Sequence, residues 1–345
     1  MDAATPEHAG RARRVFVTGD THGSNDILKL TGKYWPEGGN LGRDDLLVIC
    51  GDFGLVWSEP ASEESGFWLD WLEARPWTTL FVDGNHENHD LLDGYAVSEW
   101  CGGRVHVLPG HPHVIHLMRG QAYDVDVHGR WFVLGGARSQ DRQWRVEGRT
   151  WWRREMPSDE EYDEASRALA DMGFAPDYVF THDCPTDRLT YAMPWYVQYR
   201  GTMPPADQLT SYLQYVDERL DGRSLRAWYC GHYHDDLRLG DDRHHLLYRQ
   251  VVELGEGPVE NPHASQFVPG AGVAIPEEDV GLAEVAEREH ASMSELESYL
   301  AERKEKAGLV AGDRMDADGQ RAFRLWVDAR RRRELRAAGP AADIV

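Results

Sequence analysis

Five short pieces of this chain combine glycine or threonine with side chains that bind hard or borderline metal ions. They are Gly19-Asp20-Thr21-His22-Gly23, Gly51-Asp52-Phe53-Gly54, Gly84-Asn85-His86-Glu87, Thr181-His182-Asp183 and Gly231-His232-Tyr233-His234. Carboxylate and amide oxygens with imidazole nitrogens suit Mn, Fe, Zn or Ni, and the absence of cysteine ligands disfavours a structural zinc knot. Asp20 and His22 are two residues apart, so on an extended segment both side chains project to one side, and His232 and His234 repeat the spacing. Each pair can clamp one ion from a single strand end. Asp20, His22, Asp52, Asn85, His182, His232 and His234 are more donors than one catalytic ion with an open position uses. Two ions sharing a bridging carboxylate account for them better, an arrangement that clamps the attacking and leaving oxygens of an in-line phosphoryl displacement. Taken singly, each piece has an ordinary explanation: Asp20 or Asp52 as a helix cap or Asx turn, Asn85 as a turn residue, His182 or His232 as a hydrogen-bonded structural histidine. Their recurrence at successive strand ends argues for a site.

The elements that must position these pieces are legible as apolar runs ending at glycine or histidine. Val15–Gly19, Leu46–Cys50 and Thr79–Asp83 read as buried strands, with helical patterns near Asn25–Leu30 and Glu63–Ala74. Close-spaced candidates at Val105–Leu108, Val114–Met118, Tyr123–Val127 and Trp131–Leu134 predict an antiparallel section, hence mixed sheets. A helix over Ser158–Met172 opens with the capping-box pair Ser158 and Glu161. Tyr178–Thr181 and Leu225–Cys230 are further strands that end in histidine-bearing loops, and Leu246–Leu254 closes the domain. The fold class is α/β, with the chemistry gathered along one edge of side-by-side strands.

The chain has 345 residues, 41% hydrophobic, with a net charge of −22. That apolar share builds a core, so global disorder is excluded. The acidic balance argues against a surface that grips nucleic acid or an anionic membrane throughout, while leaving room for a cation-loaded cleft. Cys50, Cys101, Cys184 and Cys230 are too few and scattered for a disulfide framework. No stretch approaches the roughly 20 apolar residues that cross a bilayer, and the polar start lacks an apolar run of signal-peptide length. A soluble cytoplasmic protein with no membrane partner is expected.

Over about residues 15–254 the ordered motif set resembles the calcineurin-like metallophosphoesterases. The resemblance implies a four-layer α/β/β/α sandwich of two mixed sheets. It implies two divalent cations, Mn2+ first with Fe, Zn or Ni as alternatives, and hydrolysis of a phosphate mono- or diester by a hydroxide bridging them. It places Asp20 and His22 on one metal, Asp52 between both, Asn85 and His182 on the second, His232 on the second and His234 on the first. His86 would protonate the leaving oxygen or stabilise the transition state, oriented by Glu87 or Asp183. The sequence departs from the protein serine/threonine phosphatases of that superfamily. Their second motif continues Val-Asp-Arg-Gly, where this chain has Gly54-Leu55-Val56-Trp57, and Asp83 stands where they carry an arginine before Gly-Asn-His-Glu. Gly135-Gly136-Ala137-Arg138-Ser139, Trp151-Trp152 and Glu155-Met156-Pro157 look like features of small bacterial and phage-type members.

The substrate side is expected near Arg138, just after a strand and two glycines, as a phosphate contact beside His86. Arg138, Arg142, Arg145, Arg149, Arg153 and Arg154 interleave with Trp144, Trp151 and Trp152. Such interleaving can hold a nucleotide or single-stranded nucleic acid; the plainer alternative is a packed cap whose arginines pair with Glu155, Asp159, Glu160 and Glu161. His106, His111, His113 and His116 are assigned packing or surface roles, Cys50, Cys184 and Cys230 core positions, and Cys101 an exposed turn. Domain boundaries are expected as a flexible N-terminus over 1–14, the phosphoesterase domain over 15–254, a Gly/Pro/Ala-rich linker over 255–277 and a helical C-terminal extension over 278–345. That extension has helices around Glu278–Lys306 and Asp318–Ala337, the second carrying Phe323, Trp326 and Arg330–Arg333, to dock a partner or oligomerise. The competing functional class is a non-catalytic metal-binding scaffold that engages a partner through these helices.

Overall fold

The computed structural model describes residues 13–139, 142, 145–194, 197, 201–202, 204–259, 280–281 and 314–315. The chain divides into two units, one comprising Met1–Arg142 and Val146–Gly272, the other Gln143–Arg145 and Val273–Val345.

In the first unit, β1 (Val15–Thr18), β2 (Leu46–Cys50), β3 (Thr78–Val82) and β6 (Val114–Leu117) pair in parallel. The sheet is extended by antiparallel β5 (Gly103–Val107) and β4 (Val97–Trp100) on one side and β13 (Val252–Glu253) on the other. The second sheet holds β8 (Arg130–Leu134), β9 (Tyr178–Thr181), β10 (Ala227–Cys230) and β12 (His244–Leu246) in parallel. Its antiparallel edges are β7 (Gln121–Asp124) and β11 (Leu237–Arg238).

Strands buried on both faces read as continuous apolar runs, and their period of two decides which layer each residue joins. Val17, Val48, Leu80 and Ile115 are register partners across four strands and face the other sheet, where Trp131, Val133, Phe180 and Tyr229 meet them. Phe16, Leu47, Ile49 and Phe81 point the opposite way, onto Ile27, Leu30 and the helix α1 (Glu63–Glu73) through Trp68, Leu69 and Leu72. On the far side, Phe132, Leu134, Val179 and Trp228 pack on α2 (Asp159–Asp171) and on a helix over Gln208–Asp217. The result is the expected order of helix, sheet, sheet, helix.

Ser158 and Glu161 form the expected capping box: the Glu161 amide donates to Ser158 Oγ at 3.3 Å and the Ser158 amide to Glu161 Oε2 at 2.7 Å. Arg14 donates from its backbone to Asp45 and from its guanidinium to Glu253, so ordered contacts begin before β1. In the second unit Val280–Gly281 is a short strand paired antiparallel with Arg314–Met315, where the sequence suggested the start of a helical stretch around Glu278–Lys306. The rest of both expected C-terminal helices, with Phe323, Trp326 and Arg330–Arg333, lies outside the described residues, as do Trp144 and most of the linker. No helix among the described residues is long and apolar enough to cross a membrane.

Candidate metal centre

Parallel pairing puts the carboxyl ends of β1, β2 and β3 at one edge of the first sheet, and those of β9 and β10 at one edge of the second. Backbone bonds then stitch the loops together. The amides of Thr21 and His22 donate to the Asp52 carbonyl at 3.0 and 2.7 Å, and Gly231 donates to the His182 carbonyl at 3.0 Å. The glycines are required by contact: a Cβ at Gly84 would lie 2.1 Å from Asp52 Oδ1, and one at Gly231 would lie 2.1 Å from Asp20 Oδ1.

All seven expected donors converge. Side-chain donor atoms of Asp20, His22, Asp52 and His234 lie within 4.8 Å of one another, and so do those of Asp52, His182 and His232. Asp52 is common to both groups and faces them with different oxygens: Oδ2 is 3.3 Å from His22 Nε2, and Oδ1 is 3.3 Å from His182 Nε2. Asp20 Oδ2 lies 3.1 Å from His234 Nε2. Asn85 joins the second group, its Oδ1 3.2 Å from His182 Nε2. This donor set of carboxylate, amide and imidazole, split into two groups around one carboxylate, fits a pair of divalent cations.

The backbone is strained at the site. His22, Asp52, His232 and His234 have φ of 44°, 42°, 73° and 54°, four of the seven non-glycine residues in the left-handed region among those described. Such conformations cost about 1–3 kcal/mol each and persist where surrounding contacts over-determine them.

The charges complement one another. Burial would raise the Asp20 carboxyl, but the charges of His182 and His234 outweigh it and hold it well below the usual range. Asp52 is held low in the same way, chiefly by His182 and His86. Burial would lower His182, yet Asp52 and Asp20 push it up to about 10, whereas burial and the neighbouring His182 charge bring His232 down to about 3. Burial also works against a charged His22, and hydrogen bonds to Asp26 and Asp52 overcome it. Protonated His22 and His182 thus neutralise the two buried carboxylates, and a cation bound by these groups must displace those protons.

His86 sits at this centre with its backbone amide donating to Asp52 Oδ1 at 2.7 Å and its Nε2 4.0 Å from Asp52 Oδ2. Its side chain is 25% exposed, against 1% or less for Asp20 and Asp52, so it is the more open to a substrate. Glu87 and Asp183, expected to orient His86, have these partners in the structure. Glu87 Oε1 accepts the backbone amides of Phe53 and Gly54 at 2.6 and 3.2 Å, which fixes the second-motif loop. Asp183 Oδ1 accepts the Cys184 amide and the Tyr233 hydroxyl at 2.7 and 2.5 Å.

Arg138 is half-buried, one residue before Ser139, whose Oγ bonds Asn85. Of the other arginines, Arg153 pairs with Glu147, and Arg154 with Asp93 and Glu161. Trp152 is buried, donating to Asp90 Oδ2 at 3.0 Å with its ring 5.4 Å from that of Trp57. Of the acids expected to pair with these arginines, Glu161 does so, with Arg154, whereas Glu147 and Asp93 are partners the sequence did not point to. His106 and His116 are buried and mutually bonded, while His111 and His113 pair with Asp70 and Glu73. Cys50, Cys184 and Cys230 are buried free thiols, and Cys101 is half-buried against the inter-sheet core rather than exposed.

Sequence reasoning missed three supporting groups. Asp26 Oδ2 bonds His22 Nδ1 at 2.8 Å, and its spacing of four from His22 was the available signal. Tyr248 donates to the same Asp26 oxygen at 3.1 Å and stacks on His234 at 4.7 Å. Lys29 is buried, its Nζ donating to the carbonyls of Gly19 and Asp20 at 3.0 and 2.7 Å and to that of Tyr248.

No curated protein matches the chain. The model of one family, calcineurin-like phosphoesterase, matches residues 13–236, a span that includes β1 to β10 and all seven converging donors. With the two mixed sheets between helices and the donor groups at their strand ends, that match shows that the chain belongs to the calcineurin-like phosphoesterase family.

Proposed function

We propose that this protein hydrolyses phosphate mono- or diesters with a pair of divalent cations, Mn2+ first among Mn, Fe, Zn and Ni, held by Asp20, His22, Asp52 and His234 on one side and Asp52, Asn85, His182 and His232 on the other. The observation that carries this reading is the single buried Asp52 carboxylate, whose two oxygens face two separate donor groups. When bound, the cations supply a water nucleophile at neutral pH and neutralise charge on the phosphoryl oxygens. Asp52 holds the two groups in register. His86 reaches the same centre from its more exposed side and donates a proton to the leaving oxygen. Arg138, tethered beside Ser139, contacts the substrate phosphate. A scaffold role is disfavoured because it has no use for a partly exposed His86 aimed at a complete donor set.

The test is a screen of protein reconstituted with Mn2+, Fe2+, Zn2+ or Ni2+ against aryl phosphate monoester and diester, nucleotide, cyclic nucleotide and oligonucleotide. Metal-dependent turnover of at least one class is expected. Asp52→Asn should abolish it and lower cation uptake; wild-type turnover in that variant refutes the shared-carboxylate reading. Hydrolysis unaffected in Arg138→Ala would remove Arg138 from the substrate site.

A further inference from the structure

Asn85 differs from the other six donors in one chemical respect. An amide can turn either its oxygen or its NH2 group toward a partner, and only the oxygen can hold a cation. The NH2 group therefore needs an acceptor on the far side. Asn85 Nδ2 donates to Ser139 Oγ at 3.1 Å, which leaves Oδ1 facing His182. Ser139 is itself held: its backbone amide donates to Glu155 Oε1 at 3.1 Å. The Glu155 carbonyl accepts from Arg119 Nη2 at 3.2 Å, and Arg119 Nε donates to Asp83 Oδ2 at 2.8 Å. Asp83 lies two residues before Asn85, and its carbonyl accepts the Gly136 amide at 2.8 Å. The bonds form a closed circuit that runs from the end of β3 in one sheet to the loop after β8 in the other.

Every member is buried: Asp83 is 1% exposed, Asn85 4%, Arg119 6%, Ser139 2% and Glu155 1%. In surroundings so poor in water these bonds are strong, and a side chain turned the wrong way would leave a polar group without water to replace its partner. The circuit also gives Asp83 a use. Where the serine/threonine phosphatases carry an arginine, this chain turns a carboxylate inward onto Arg119 and His116.

We infer that Ser139 is the positioning residue that fixes the Asn85 amide with its oxygen toward the second cation, and that Asp83, Arg119 and Glu155 hold Ser139 in place. This rests on the two-cation reading above. Groups that orient a ligand in this way typically change metal affinity by about 10–100-fold.

The experiment is a calorimetric Mn2+ titration of chelator-stripped full-length protein as wild type, Ser139→Ala, Asn85→Ala and the double variant. Thermal unfolding in chelator checks the fold of each. Wild type should take up two ions. Ser139→Ala should weaken one uptake event about 10–100-fold and leave the other unchanged. In the Asn85→Ala background the same change should cost nothing more, because the amide it orients is gone. Unchanged uptake in Ser139→Ala, equal weakening of both events, or an added loss in the double variant would each overturn the inference while leaving the two-cation reading intact. Fewer than two ions on wild type would bring down both. If the alanine variant does not fold, Ser139→Cys makes the same measurement, since a thiol of similar size is a much weaker acceptor.

Discussion

The seven donors do not contribute alike, because burial and chemistry separate them. Asp52 and Asp20 are fully buried carboxylates whose charge is matched by His22 and His182, so each of these residues needs the others to remain in place. His86 is different: it touches Asp52 through its backbone amide, and its ring is a quarter exposed. Changing His86 to Asn keeps that amide while removing the proton donor. We therefore expect kcat to fall by about 10²–10⁴ with Mn2+ uptake unchanged, measured by steady-state kinetics beside calorimetry. A parallel loss of uptake would move His86 from proton transfer into the ligand set. These donors were legible in the sequence because each stands within a few residues of a strand end. Ser139, Arg119 and Tyr248 were not, because a serine or an arginine acquires such a role only from its partner, and Ser139 and Asn85 are 54 positions apart.

The elements explain how loops so distant in sequence come together at one centre. Strands buried on both faces announced themselves: Leu46–Cys50 and Tyr178–Thr181 are read to the residue from their apolar runs. The edge strand β4 was illegible, since Val-Ser-Glu-Trp is mostly exposed and has no run to read. The helix over Gln208–Asp217 carries a usable signal, with Asp207 capping it and Leu209, Leu213 and Val216 on one face. The first motif depends on a third kind of device, a buried cation. Lys29, in the short 3-10 helix Ile27–Leu30, ties the end of β1 to the segment after β12 through the carbonyls of Gly19, Asp20 and Tyr248. Burial brings the Lys29 ammonium down to about 8, with Asp26 and Asp20 opposing, so it is still mostly charged at neutral pH. Lys29→Met preserves the volume and removes that charge, leaving three carbonyls without their donor and Asp26 and Asp20 less compensated. By comparison with other broken buried pairs the expected loss is about 3–5 kcal/mol in urea unfolding. A loss below about 1 kcal/mol, the range of an exposed ion pair, would show that the carbonyls find other donors.

At the scale of the molecule, the net charge of −22 and the buried histidines pull acid stability in opposite directions. Protonating surface carboxylates relieves repulsion, but ordinary carboxylates titrate near pH 4 and their fields are screened beyond about 8 Å at physiological salt. The buried histidines act at higher pH. Burial lowers His89 to about 3, helped by the Arg119 charge, and burial likewise lowers His106 and His245 to about 4. A base whose pKa falls on folding binds its proton mainly in the unfolded chain, so its contribution is whole above the unfolded value near 6.5 and is lost as pH falls toward 3–4. His22 and His182, raised on folding, change the slope only above 6.5, so they do not offset this loss. Between pH 6.5 and 5 burial also holds protons on the folded Asp183, raised to about 7, and on Glu87, which opposes this loss, but the four lowered histidines, His232 included, outnumber them, so unfolding in chelator should become easier as pH drops. His89 alone, 3% exposed, contributes about 1.4 kcal/mol per pH unit across the lower part of that window. Urea midpoints measured at pH 5, 5.5, 6 and 6.5 should fall steadily, and His89→Asn should flatten the slope by about that amount. An unaltered slope in the variant would mean that His89 takes up its proton in the folded protein beside Asp83, where the nearest oxygen is 3.9 Å away.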